Sequence, residues 1–160
     1  KALSEDEIGA VAGHEFGHYV LGHHWRRLAG GIAGAFTILW AFSVIWPWAV
    51  KRFGESRGIT SICDIAGLPL FALILQLALF VQSPVEAALS RQDERAADRY
   101  GLNLNHDGHA MIRVYYMFFK SDYADPDPPK LAYYLYSSHP SLRERTEMAM
   151  EYMKTSWERK

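Results

Sequence analysis

His14-Glu15-Phe16-Gly17-His18 sets two imidazoles and a carboxylate at H-E-x-x-H spacing. Residues four apart on a helix share one face, about one turn apart, so His14 and His18 can reach a single Zn²⁺. Glu15, between them, is placed to take a proton from a water activated at that ion. A catalytic zinc takes three protein ligands and keeps one position open, so a third ligand must come from elsewhere. Ser90-Arg91-Gln92-Asp93-Glu94-Arg95-Ala96-Ala97-Asp98 offers one. Glu94 and Asp98 are four apart on one helix face, suiting Glu94 as ligand and Asp98 as acceptor of a ligand histidine's other ring N–H. Asp93 competes with Glu94 for the ligand position. An ordinary solvated helix laced with Arg–Glu pairs would carry the same spacing. His23 and His24 fall five and six residues after His18, off the ligand face, and His106 and His109 sit near a helix start with no metal role.

The elements that must position these groups follow from composition and periodicity. The chain has 160 residues, a formal net charge of −1 and one cysteine, Cys63. Near-neutral charge gives no footprint for a nucleic-acid partner, and one cysteine excludes an internal disulfide framework or a Cys-rich zinc module. The chain opens without Met shortly before the metal motif and reads as a fragment of a longer protein. Its mean hydropathy of −0.13 hides a division. Leu28 to Val50 and Ile65 to Val85 carry no charged residue. Each reaches the length of about 20 residues that crosses a hydrocarbon core. Trp40, Trp46 and Trp48 suit an interface, and Gly30-x-x-x-Gly34 suits close helix packing. If both segments span, residues 28–85 form a hairpin whose ends emerge on one side. The chain is then one catalytic domain, 1–160, with the hairpin inserted. Basic residues on both sides (Arg26, Arg27 and Arg91 against Lys51, Arg52 and Arg57) leave orientation undecided by charge.

Ser4-Glu5-Asp6-Glu7 is a capping-box start for a helix predicted to run through the metal motif to about Trp25, with Ile8 and Val11 inward. Gly13 and Gly17 cost helix propensity and are explained if another backbone approaches the histidine face; Ala96 and Ala97 keep that second helix slim. Ser83-Pro84-Val85-Glu86 predicts a new helix start, ending at Gly101. A helix over 107–120 has Met111, Val114, Tyr115 and Phe118 on its apolar face. Residues 121–138, with Asp-Pro-Asp-Pro-Pro at 125–129, read as irregular. A last helix begins at Ser141, with Glu144 three residues on, and runs toward Trp157. No strand pattern stands out, so the fold class is mainly α.

Three motifs in order, H-E-F-G-H at 14–18, S-R-Q-D-E-R-A-A-D at 90–98 and S-S-H-P-S-L-R-E-R at 137–145, resemble the integral-membrane zinc endopeptidases of the CaaX prenyl protease type. The Asp-Pro-Asp-Pro-Pro stretch is also similar to that branch; Thr146 departs from its more usual aliphatic residue. The resemblance covers nearly the whole chain. It implies a zincin-type catalytic domain with one Zn²⁺ held by His14, His18 and Glu94. It further implies Glu15 as general base, Asp98 behind the ligands, His139 near the substrate carbonyl as oxyanion stabiliser, and Arg145 orienting its segment by pairing with a carboxylate. The implied protein is multi-pass in the membrane with a cytoplasmic catalytic face. It meets lipid and a peptide or protein substrate, prenylated or itself a membrane protein. A heat-shock-type membrane quality-control protease shares the ligand motifs, and a non-catalytic scaffold that retains zinc is the rival of another class.

Overall fold

The computed structural model describes residues 3–122 and 125–157; the two ends of the span expected to be one domain (1–160), and 123–124 in the stretch read as irregular, lie outside the described residues. Among the described residues all regular structure is helical. Six α-helices are present among these residues: α1 (Glu5–Val20), α2 (His23–Ala49), α3 (Leu68–Asn105), α4 (Gly108–Asp122), α5 (Lys130–Tyr136) and α6 (Leu142–Trp157). The chain divides into two compact units, one of residues 1–25 with 85–160 and one of residues 26–84, so the division falls within α2 and α3.

In the first unit, helix starts follow their side chains. Ser4 and Glu7 form the capping box of α1, each bonding the other's backbone N–H. Asp107 caps Ala110 N–H at the head of α4, and Ser141 caps Glu144 N–H at the head of α6. α4 packs against α1 and α6. Ala10, Leu102, Met111, Val114, Tyr115 and Ala149 form the buried core, with Val11 against it. Ile8 and Phe118, expected inward, are exposed. α1 crosses α3 closely: a Cβ added at Gly17 would lie 2.9 Å from Ala97 Cα, so the approach needs glycine on one helix beside alanine on the other. That is the use expected for Gly17 and Ala97.

Three boundaries differ from expectation. α1 stops at Val20 rather than Trp25, because Leu21 and Gly22 form a C-terminal cap. Leu21 N–H bonds Gly17 C=O, Gly22 N–H bonds Tyr19 C=O, and Gly22 takes φ 67°. α3 neither starts at Ser83 nor ends at Gly101. Pro84 cannot donate to Phe80 C=O, but the Ser83 hydroxyl donates to that carbonyl instead at 3.0 Å, so the helix passes through proline. Residues 130–136, inside the stretch read as irregular, form α5.

The second unit holds most of α2, the first part of α3 and a connection of short helical turns, Val50–Gly54, Glu55–Arg57 and Ile65–Gly67. Asp64 caps the last of these through Ala66 N–H, and Trp46 Nε1 donates to Ile62 C=O. Phe42, Trp46 and Phe71 form an aromatic cluster. A Cβ on Gly34 would collide with the Gln82 side chain, whereas Gly30 faces open space, so only half of the Gly30-x-x-x-Gly34 motif marks a close approach. Both helices are long and apolar enough to cross a membrane by length and composition.

Candidate metal centre

Helical spacing brings the imidazoles of His14 and His18 together on α1, and the α1–α3 crossing at Gly17 and Ala97 sets Glu94 opposite them. The two Nε2 atoms are 3.1 Å apart. One Glu94 oxygen lies 3.3 Å from His14 Nε2 and the other 3.4 Å from His18 Nε2. One donor atom from each of the three residues lies within 4.8 Å of the other two. Donors 2.0–2.1 Å from a tetrahedral zinc stand about 3.3 Å from one another, so two neutral imidazoles and a carboxylate at these separations fit Zn²⁺.

The surroundings hold this donor set from behind. His14 Nδ1 donates to Asp98 Oδ1 at 2.8 Å, which leaves Nε2 as the free donor atom of His14. Asp98 is fully buried and also accepts two bonds from Arg145, at 2.8 Å from Nε and 2.5 Å from Nη2. The Arg145 guanidinium lies over the Tyr115 ring, 4.1 Å from its centroid. Burial opposes charge on His14, but its hydrogen bonds to Asp98 and Glu94 outweigh that and raise its pKa to about 9. Burial would raise Glu94, yet the His14 bond and the nearby charges of His139, His14 and His18 hold it down to about 2. Burial likewise works against ionised Asp98, and the bonds from His14 and Arg145 depress its pKa regardless. The histidine and the two carboxylates thus offset one another's burial here.

The remaining expected residues take distinct places. Glu15 is exposed, on the helix side next to the two histidines. His139 Nε2 lies 3.7 Å from Glu94 Oε2, with the ring 61% exposed and its Nδ1 2.9 Å from Ser138 Oγ. Asp93 is buried but is not one of the three converging donors. His24, His106 and His109 are exposed.

Sequence reasoning missed two residues. Arg91 is buried on α3, donates to Tyr133 C=O at 3.1 Å and Ser137 C=O at 2.6 Å, and lies over the Tyr133 ring. It therefore fixes the end of α5, two residues before His139. Tyr133 is tied in turn to Glu144 and Arg95. The second is His23, read as off the ligand face but 3% exposed and 3.0 Å from His18, Nδ1 to Nδ1. The signal for it was available in Leu21-Gly22, a helix stop that ends the angular count from His18 before it reaches position 23.

A helix-borne histidine pair completed by a carboxylate from a second helix, with a free glutamate between the histidines, defines the class of single-metal peptidases. The chain belongs to peptidase family M48, whose family model matches residues 1–153. It is 30% identical over 147 residues to the uncharacterized metalloprotease YhfN of Bacillus subtilis, covering 92% of this chain and 34% of that protein. It is 30% identical over 159 residues to a CAAX prenyl protease 1 homolog of Dictyostelium discoideum, covering 90% and 33%. A protease HtpX homolog of Streptococcus gordonii is 26% identical over 171 residues, covering 92% and 55%. The chain therefore spans about a third of the length of the first two relatives.

Proposed function

We propose that this chain is the catalytic core of a membrane-embedded zinc metalloendopeptidase, with residues 28–85 an inserted membrane hairpin in one domain. His14, His18 and Glu94 hold one Zn²⁺. The observation that carries this is the convergence of two Nε2 atoms and a carboxylate at separations that suit one tetrahedral ion. Zinc bound there supplies a Lewis acid for the scissile carbonyl and makes water a nucleophile near neutral pH. Glu15 takes the proton of the attacking water and passes it to the leaving amine. His139, solvent-accessible beside Glu94, donates Nε2–H to the carbonyl oxygen as negative charge develops there. Asp98 and Arg145 keep the ring of His14 in register. The apolar helices suit a protein that meets lipid and cuts peptide or protein substrates at a membrane surface; the resemblance to the CaaX-type proteases supports a catalytic face in the cytoplasm.

Glu15→Gln keeps shape and metal but removes the base. Peptide cleavage should fall by about 10²–10⁴-fold with zinc content unchanged by elemental analysis. Cleavage at the wild-type rate would remove Glu15 from the mechanism.

For substrate, we propose a CaaX-prenyl-protease-like activity, supported by the Asp-Pro-Asp-Pro-Pro stretch ahead of His139 and by the relatives of that name. A quality-control protease of the heat-shock type is the second reading, favoured by the similarity to the HtpX homolog. Cleavage of a prenylated peptide and its unprenylated twin by the full-length protein in detergent separates them. A clear preference for the prenylated peptide supports the first reading, and equal rates support the second.

A further inference from the structure

The two histidines of the centre are held differently. His14 has a carboxylate directly behind it, Asp98 at 2.8 Å. Behind His18 stands another imidazole: His23 Nδ1 is 3.0 Å from His18 Nδ1, and His23 Nε2 is 3.8 Å from Asp93 Oδ1. All three groups are buried, with His23 3% and Asp93 1% exposed. The helix break creates the arrangement. In an uninterrupted helix, residue 23 would point about 140° away from residue 18 at 3.6 residues per turn. Gly22 at φ 67° redirects the chain so that the first residue of α2 turns back onto His18.

We propose that His23 and Asp93 form a positioning relay for His18, the counterpart of Asp98 for His14. The proposal rests on the assignment of His14, His18 and Glu94 as zinc ligands. The proton positions follow from that assignment. When His18 Nε2 gives its lone pair to the metal, its Nδ1 carries the proton and donates it to His23 Nδ1. His23 Nδ1 must then be the acceptor, so His23 carries its own proton on Nε2, the atom that faces Asp93. At 3.8 Å that last contact is electrostatic rather than a hydrogen bond, and it selects the Nε2–H tautomer of His23. A ligand imidazole backed this way has a fixed ring plane and a more electron-rich Nε2. His23 touches neither metal nor substrate in this scheme; it acts only through His18.

The test uses full-length protein in detergent. Zinc affinity is measured by competition with a chromogenic chelator, and the visible spectrum of the cobalt-substituted protein reports ligand geometry. His23→Ala should weaken zinc about 10–100-fold, the usual cost of losing a group behind a metal ligand, and shift the cobalt bands. His23→Asn, whose amide oxygen can occupy the place of Nδ1, should recover most of that affinity and the parent spectrum. Asp93→Asn, nearly isosteric, should weaken zinc less than His23→Ala, in the same direction. Wild-type affinity and spectrum in His23→Ala would overturn the relay. So would equal losses in the Ala and Asn variants accompanied by equal falls in the melting temperature of the metal-free proteins, because His23 would then serve only packing. If the parent protein itself binds no zinc, the ligand assignment fails first and the relay falls with it.

Discussion

The two units of this chain invert each other's polarity. In the first, the best-buried side chains include Arg91, Asp93, Glu94 and Asp98, between 0% and 4% exposed. In the second, Phe36, Leu39 and Trp40 are 66–70% exposed. Ionised groups leave water at a cost of several kcal/mol each, so they persist inside only where partners and hydrogen bonds offset it. Here they are mutual partners: Asp98 takes bonds from His14 and Arg145, and Glu94 lies against both His14 and His18. An apolar helix turned outward has the converse problem, and a hydrocarbon surrounding removes it. The contrast teaches that each unit is stable for its own reason. One packs paired charges inside, the other turns apolar side chains outward.

The largest effect should come from breaking the first unit's electrostatics. Asp98→Ala strands the Arg145 guanidinium, which is 16% exposed and wedged over Tyr115, and frees His14 Nδ1. Removing one partner of a buried ion pair costs about 3–5 kcal/mol, read as lost stability in denaturant titration of the protein in detergent. A loss below about 1 kcal/mol would mean that Arg145 reaches water and that the pair behaves as a surface pair. The corresponding attack on the second unit is Leu39→Lys, near the middle of the Leu28–Val50 segment. In a spanning helix a central Lys costs about 2.5–3.5 kcal/mol, measured as reduced membrane insertion. In water the same exposed substitution would change stability by no more than about 0.5 kcal/mol. Unchanged insertion would break the comparison by placing α2 in water.

Much of this was legible because it depends on short-range periodicity. His14 with His18, and Glu94 with Asp98, are pairs four apart, and helix geometry alone puts each pair on one face. Ser4, Asp107 and Ser141 announce their helix starts by local hydrogen bonding, and they occur where expected. The first errors arose where one local signal competed with another. Ser83-Pro84 resembles a helix start, yet the same serine repairs the carbonyl that proline leaves unpaired, and an apolar helix continues. Leu21-Gly22 is a stop signal inside an otherwise helical pattern, and passing over it hid the contact of His23 with the far side of His18. Arg91 was invisible for a different reason. Its acceptors are carbonyls of residues 133 and 137, more than forty positions away, and no side-chain pattern encodes a backbone acceptor.

The smallest effect separates the units through one kind of substitution with opposite signs. Gly22 has φ 67°, and nothing within 4 Å would touch a Cβ there, so the cost of alanine is conformational alone. Holding an L-residue left-handed costs about 1–2 kcal/mol, and Gly22→Ala should lower stability by that amount, with Gly22→Asn losing less because asparagine tolerates this region. Gly30 also faces open space but lies in the interior of α2 with helical geometry. Gly30→Ala should therefore gain about 0.5–1 kcal/mol from helix propensity. Melting temperatures of the two alanine variants in the same detergent give the comparison directly. A fall at 22 with a rise at 30 fits a chain whose first unit depends on a defined turn and in whose second unit Gly30 lies in an uninterrupted stretch of α2. A rise at both would mean that the chain at Gly22 can relax into helix, carrying His23 away from His18. A fall at both would mean that Gly30 is covered by a neighbour, and that the outer face of α2 is a packing surface rather than one turned to lipid.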